Sequence, residues 1–260
     1  MKVVAILQAR MSSSRLPGKV LKPILGEPML AHQLKRIARS SKIDTIVVAT
    51  STENEDEPIA SLCQQLDIAC FRGSLDNVLD RFYCAATEYQ ADIVVRLTGD
   101  CPLADADIID QVISMHLSQG NEYTSNVEPP TFPDGFDVEV LNMTQLRLAW
   151  QRASLPSDLE HVTPYIRNTL AVKKGNFESP TDYSHYRLTV DEPNDFELVK
   201  IIYQELGENG QYFSSEQIYK LLSQQPKLLT LNQNITRNEG YIASLNQDKH
   251  DKKACRVDVD

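Results

Sequence analysis

The chain has 260 residues, with 26 Lys+Arg against 36 Asp+Glu for a formal net charge of −10, 42% apolar residues and 24% charged ones. This is the composition of a globular protein long enough for one large core or two modest ones, and it excludes fibres and wholesale disorder. The acidic balance repels phosphate backbones at long range, and no dense Lys/Arg block beyond the first forty residues offsets it, so nucleic acid is not an expected partner.

The first apolar run, Val3 to Leu7, ends at Gln8 and is too short for a signal-peptide core or a bilayer span; no later run reaches transmembrane length. Five scattered cysteines (Cys63, Cys70, Cys84, Cys101, Cys255) contain no CxxC pair, which argues against a disulfide framework and a structural zinc site. A reducing, cytoplasmic setting without membrane contact is expected. The glycosylation patterns at Asn142 and Asn234 then read as chance matches.

In chain order, apolar or β-branched runs at Val3 to Leu7, Thr45 to Thr50, Ala69 to Phe71 and Ile93 to Leu97 alternate with helical patterns at Met29 to Arg39, Pro58 to Leu66, Val78 to Tyr89 and Ala106 to Leu117. Strands apolar throughout, joined through helices, predict a mostly parallel sheet buried on both faces: a three-layer α/β core. Ligands of such sheets sit outside the carboxyl ends of the strands, so chemistry is expected after Leu7, Thr50, Phe71 and Leu97. From about Tyr123 the pattern changes. Pro129, Pro130, Pro133 and Gly135 break the chain before the alternating run FDVEVL, and an inserted β/α lobe is expected over about 123–185. Helices are expected at Thr144 to Ala153 and Asp158 to Leu170, a strand over Tyr186 to Val190, and a capped helix in DEPNDFELVKIIYQEL. The single domain is expected to span 1–231, followed over 232–260 by a polar, aperiodic tail whose last dozen or more residues are mobile.

The loop after the first strand, QARMSSSRLPGKVL, gathers Arg10, Arg15 and Lys19 with three serines and a glycine. Hydroxyls and backbone amides line anions, guanidinium groups fork onto phosphate oxygens and a lysine adds a compact charge, so a triphosphate suits this inventory. The loop is neither GxGxxG nor GxxxxGK[ST], which disfavours a dinucleotide fold or a P-loop ATPase. A solvated basic loop is the competing reading of the composition. Two carboxylates end strand-like runs: Asp100 in RLTGDCPL and Asp191 in TVDEPNDF. Magnesium takes hard oxygen ligands, commonly one or two carboxylates plus phosphates and water; an N-cap is the alternative for Asp191. In PDGFDVEV, Asp137 and Glu139 share one face of an extended strand, placed either to hydrogen-bond a substrate's hydroxyls or to face solvent. His161 and Tyr165 stand one helical turn apart in EHVTPY. Asp76 in GSLDNVLDRF is expected to cap a helix, and Cys101, without a histidine partner, is not expected to be a nucleophile.

The string Ala9-Arg10-x-x-Ser13-x-Arg15-Leu16-Pro17-x-Lys19, continued by Gly26-x-Pro28-Met29, resembles the signature of the cytidylyltransferases that make CMP-activated sugar acids, and most of all their spore coat polysaccharide (SpsF-like) branch. The resemblance runs to about residue 245 through GSLDNVLDRF, RLTGDCPL, PDGFDVEV, LPSDLEHVTPY and TVDEPNDFE; Thr98 and Cys101 stand where sugar-acid synthetases often have Gln and Glu. It implies a Rossmann-like nucleotidyltransferase core of the glycosyltransferase-A type and a magnesium-dependent transfer of CMP from CTP to a sugar or sugar acid, releasing pyrophosphate. It further implies Ala9, Arg10, Ser13, Arg15, Lys19, Arg72, Gly73, Ser74 and Thr98 as nucleotide contacts, and Asp100 and Asp191 as magnesium ligands. Arg15, Lys19 and Asp100 become the catalytic set, Asp137, Glu139 and His161 face the sugar, and a homodimer formed through the middle segment is expected. A nucleotide-sugar-dependent glycosyltransferase and a non-catalytic nucleotide-binding protein are the alternatives.

Overall fold

The computed structural model describes residues 1–169, 171–207 and 210–257. Four parallel strands, β1 (Val3–Gln8), β4 (Thr45–Ser51), β5 (Ala69–Gly73) and β6 (Ile93–Thr98), form the sheet expected from their apolar runs. Two short strands, β2 (Pro23–Ile24) and β3 (Glu27–Pro28), make a separate ribbon after the cationic loop. The sheet continues through β7 (Tyr123–Ser125), β8 (Glu139–Asn142) and β9 (Lys174–Asn176) in the order β5-β4-β1-β6-β8-β7-β9. β8 runs antiparallel to both its neighbours. The segment expected as an inserted lobe thus extends the same sheet.

Helices cover both faces. α1 (Met29–Ile37), α2 (Glu57–Gln65), α4 (Ala106–Gln119), α8 (Pro193–Leu206) and α9 (Ser215–Gln224) pack with Ala5, Leu7, Val95 and Leu97 in one core; α3 (Val78–Glu88), α5 (Met143–Arg152), α6 (Pro156–His161) and α7 (Pro164–Thr169) pack with Val4, Ile6, Val94 and Leu141 in the other. The alternation of neighbouring residues between two cores is the period-two rule applied to strands buried on both faces. β4 and β5 build outward from one side of β1, while β6 joins its other side; the sheet's switch point therefore lies between β1 and β6.

Several local expectations are corrected. Tyr186 to Val190 is not a strand: Leu188 N donates to Asp134 O (2.6 Å) and Val190 N to Asp100 O (2.8 Å), so its amides serve two different segments and no ladder forms beyond one bridge between Asp134 and Arg187. The helix expected over Asp158 to Leu170 is two helices, because Val162 takes a left-handed conformation (φ 70°) and Thr163, preceding Pro164, is biased out of the helical region. Asn77, not Asp76, caps α3, its Oδ1 accepting from Asp80 N at 2.9 Å. The polar tail contains α10 (Glu239–Val257), docked on α6: the Asp248 carboxylate accepts from Ser157 N (3.0 Å) and Ser157 Oγ (2.6 Å). Few apolar residues line α10, so sequence periodicity did not signal a helix held by polar contacts. Residues 258–260 of the segment expected to be mobile lie outside the described residues.

Candidate active site

The cationic loop leaves the carboxyl end of β1 and is pinned from below. Met11 N donates to Asp56 Oδ1 (2.7 Å), and the other oxygen of this buried carboxylate accepts from Ser51 N and Oγ. Burial pushes the Asp56 carboxyl up, but the bonds from Ser51 and Met11 outweigh it and hold it below the ordinary range. Gly18, at φ 68°, closes the loop through Gly18 N to Met11 O (2.9 Å). Asp56 is not legible in the sequence as a site residue; an acid just before a helix reads as a cap, and nothing local marks it as the anchor of a loop 45 residues away.

At the switch point the ends of β1 and β6 nearly touch. Gly99 N donates to Gln8 O (2.8 Å), and a Cβ at Gly99 would stand 2.9 Å from that oxygen. Asp100 follows. Its backbone oxygen accepts from Val190 N and Thr189 Oγ1, which joins the end of β6 directly to Asp191 despite the missing strand. Lys19 lies between the two carboxylates, its Nζ 2.9 Å from Asp191 Oδ1, 3.7 Å from Asp100 Oδ2 and donating to Val190 O at 2.7 Å. Arg15 reaches Asp191 (3.2 Å), Glu192 (3.4 Å) and Glu239 of α10 (2.8 Å). Arg187 binds Asp134, Asp191 and Asp195 at 2.9–3.0 Å. Burial raises the Asp191 carboxyl, yet Lys19, then Arg15 and Arg187, hold it below the ordinary carboxylate range. The N-cap alternative for Asp191 is answered by α8 itself, whose capping box is made by Glu192 and Asp195.

The other expected nucleotide residues are spread along the same edge. Ala9 N donates to Ala49 O, Arg10 is exposed with Glu160 at 4.0 Å, and Ser13 is half-buried. Thr98 Oγ1 donates to Asp100 Oδ1 at 2.5 Å. Arg72 is committed elsewhere, bonding Ser51 O, Glu53 O and the Glu57 carboxylate. Gly73 packs on Arg81, where a Cβ would meet Arg81 Cγ at 3.1 Å, and Ser74 Oγ accepts from Asn77 N. Cys101 is a buried thiol pushed well up by burial and by Asp100, in keeping with a non-nucleophilic role.

Glu139 stands close enough to both Asp137 and His161 for its charge to act on each. Asp137 is raised by burial despite Arg237, whose Nη2 lies 2.7 Å away. Glu139 is buried opposite Arg96 (3.4 Å). His161 is pushed down to about 4 by burial, then by Arg96; its Nε2 lies 3.0 Å from Ser244 Oγ and its ring packs edge-on against Tyr241. Tyr165 is not its partner: the chain breaks at Val162, and Tyr165 packs on the second core. Arg96, Arg167, Arg237 and Tyr241 were missed. Arg96 sits inside an otherwise apolar strand run, and Arg237 and Tyr241 belong to a stretch without periodicity.

A cationic loop, two carboxylates at a switch point and a cluster of buried charged groups beside them suit transfer of a phosphorus-bearing group. The comparisons agree. The spore coat polysaccharide biosynthesis protein SpsF of Bacillus subtilis (strain 168) is 36% identical over 88% of this chain and 97% of its own. The structure of a cytidylyltransferase from Leptospira borgpetersenii is 34% identical with a TM-score of 0.84, covering 91% of this chain and 98% of that one. In fold alone, a CMP:2-keto-3-deoxy-manno-octonic acid synthetase complexed with CTP is similar, at 20% identity and a TM-score of 0.61 over 79% of this chain and all of that one. The cytidylyltransferase family model matches residues 4–236, and the chain belongs to that family of nucleotidyltransferases.

Proposed function

We propose that the enzyme binds CTP across the carboxyl ends of β1, β5 and β6 and transfers CMP to a hydroxyl of a sugar or sugar acid, releasing pyrophosphate, in cytoplasmic synthesis of a surface polysaccharide or glycoconjugate. The observation that carries this reading is the meeting of Asp100 and Asp191 at the Lys19 ammonium, beside Arg15 on the loop between β1 and β2. The acceptor hydroxyl's oxygen bonds to the α-phosphorus, its proton passing to water, as the bond from that phosphorus to the oxygen bridging to the β-phosphorus breaks and pyrophosphate leaves. Lys19 and Arg15 stabilise the charge that builds on the leaving pyrophosphate, and Gly99 keeps the floor of the site narrow enough for both loops to reach one phosphate.

Magnesium fits the donor set. Asp100 and Asp191 present hard oxygens on one edge, each partly exposed, and among the described residues no group of three potential ligands would cage a metal without phosphate or water. Asp100 and Asp191 would hold it, and when bound it would add Lewis-acid neutralisation of phosphate charge. A homodimer remains part of the proposal, with the sheet extension β7–β9 as its place. Pyrophosphate release from CTP, UTP, ATP and GTP against a panel of sugars and sugar acids tests the reading: turnover is expected with CTP. Asp100→Asn, which keeps the side chain's shape, is expected to lower turnover at least about a hundredfold with little change in folding. Preference for a purine triphosphate, or full turnover by that variant across magnesium concentrations, would overturn it.

A further inference from the structure

The entry to α10 lays two opposite charges, two residues apart, on the edge of the site. Arg237 Nη2 lies 2.7 Å from Asp137 Oδ1, and its Nη1 donates to Phe132 O at 3.2 Å. Glu239 Oε2 lies 2.8 Å from Nη1 of Arg15. Arg15 thus faces three carboxylates, with Asp191 at 3.2 Å and Glu192 at 3.4 Å as the other two. Both of these are fixed by the body of the protein: Asp191 also holds Lys19 and Arg187, and Glu192 closes the capping box of α8. Glu239 is the nearest of the three and the one with the loosest support. Its other oxygen accepts from Thr236 N at 3.3 Å, within its own segment.

The holds on this segment lie at its two ends. Buried Asn232 donates to Arg187 O at 3.0 Å and to Asp195 Oδ1 at 2.8 Å, and buried Asp248 accepts from Ser157. Residues 233–243 between them are half-buried or exposed, a segment of low local stability. Asp248 follows Glu239 by nine residues, about 14 Å of helix, so the first turn can leave Arg15 while α10 keeps its hold on α6. Exposed ion pairs are weak and readily exchanged. A guanidinium forks onto phosphate oxygens as it does onto carboxylates, and a phosphate oxygen on the nitrogen now bound to Glu239 would stand beside that carboxylate, where like charges repel. We infer that Glu239 is an internal competitor of the triphosphate: it holds Arg15 in the free enzyme and is displaced by the β- and γ-phosphates, the first turn of α10 leaving the site with it. Glu239 thereby sets affinity for a triphosphate and not for a monophosphate, and loss of pyrophosphate lets α10 return.

The inference rests on the proposed CTP site, and the test separates the two. CTP and CMP affinities are measured by calorimetry in magnesium buffer for the parent and for Glu239→Gln, which keeps the side chain's shape and removes its charge. The variant is expected to bind CTP about three- to fivefold more tightly, the scale of one exposed ion pair, to hold CMP affinity within about 1.5-fold and to melt within about 2 °C of the parent. Hydrogen exchange of the parent supplies the second readout: saturating CTP is expected to speed exchange over residues 236–243 at least about tenfold, and CMP to leave it within about twofold. Unchanged or weaker CTP binding by the variant, or an equal gain for CMP, would overturn the inference. So would slower exchange under CTP, which would make α10 a lid that closes, or unchanged exchange, which would reduce Glu239 to a distant repulsion. Failure of the parent to bind CTP would overturn the transfer reading instead.

Discussion

Lys19 carries two tasks that a single substitution separates. It is nearly buried, ties Val190 O and Asp191 together, and approaches Asp100. Lys19→Ala is expected to weaken binding of CTP at least about tenfold more than binding of CMP if, as proposed, its charge serves the β- and γ-phosphates. Equal losses in a calorimetric comparison would confine it to holding the carboxylates. His161 gives a pH signature. Burial and Arg96 lower its folded pKa to about 4, against an ordinary value of 6.5; Glu160 and Glu139 oppose the shift without reversing it. The unfolded chain therefore binds the proton first, and stability present above pH 6.5 is lost as the pH falls towards 4, by up to about 3 kcal/mol. His161→Gln should flatten this part of a denaturant-midpoint profile, while any further loss below pH 4 reflects carboxylates such as Asp191.

Among the elements, the connections made by close backbone approach are the least tolerant. Gly135 has φ 110°, and a Cβ there would stand 2.5 Å from the backbone of Leu188 and Thr189, where the PDGF turn meets the extended segment carrying Arg187 and Asp191. Gly135→Ala is expected to destabilise by more than about 2 kcal/mol and to reduce turnover together with stability, checked by urea unfolding and pyrophosphate release. α10 behaves differently. Its described contacts with the body are mostly polar, through Glu239, Ser244 and Asp248. Such a helix opens more easily than core elements, so its amides are expected to exchange with deuterium well ahead of those in β1 and β6. Asp248→Ala should speed exchange in α10 and at the start of α6 and leave the sheet unchanged.

For the whole molecule, the acidic surface and the local basic loop act at different ranges. The net charge of −10 opposes polyanions, whereas Arg15 and Lys19 put a short-range positive charge beside Asp191. CTP at a hundred times its dissociation constant is expected to stabilise the fold by about 2.7 kcal/mol, with smaller gains from UTP and the purine triphosphates at equal concentration, read as shifts of the melting curve. No helix among the described residues is long and apolar enough to cross a membrane.

The four parallel strands and their first four helices lie within two residues of the bounds read from periodicity, because a strand buried on both faces and an amphipathic helix each write their environment into local spacing. The loop from Ala9 to Lys19 was legible for a different reason: three cations fall on one short segment. The sequence by itself therefore determined the α/β class, set apart the cationic loop and, with the family signature, singled out the two aspartates. What only the tertiary structure decided are the meetings of residues far apart in the chain. Asp56 under the loop, Arg187 among three aspartates, Arg96 beside Glu139, and α10 over His161 leave no local period, since each is chosen by an electrostatic partner 4 to more than 80 residues away. The lost strand at Tyr186 to Val190 has the same cause. Its spacing suits a sheet, but its amides and Arg187 are drawn to separate partners, and those contacts bring Asp191 to Asp100.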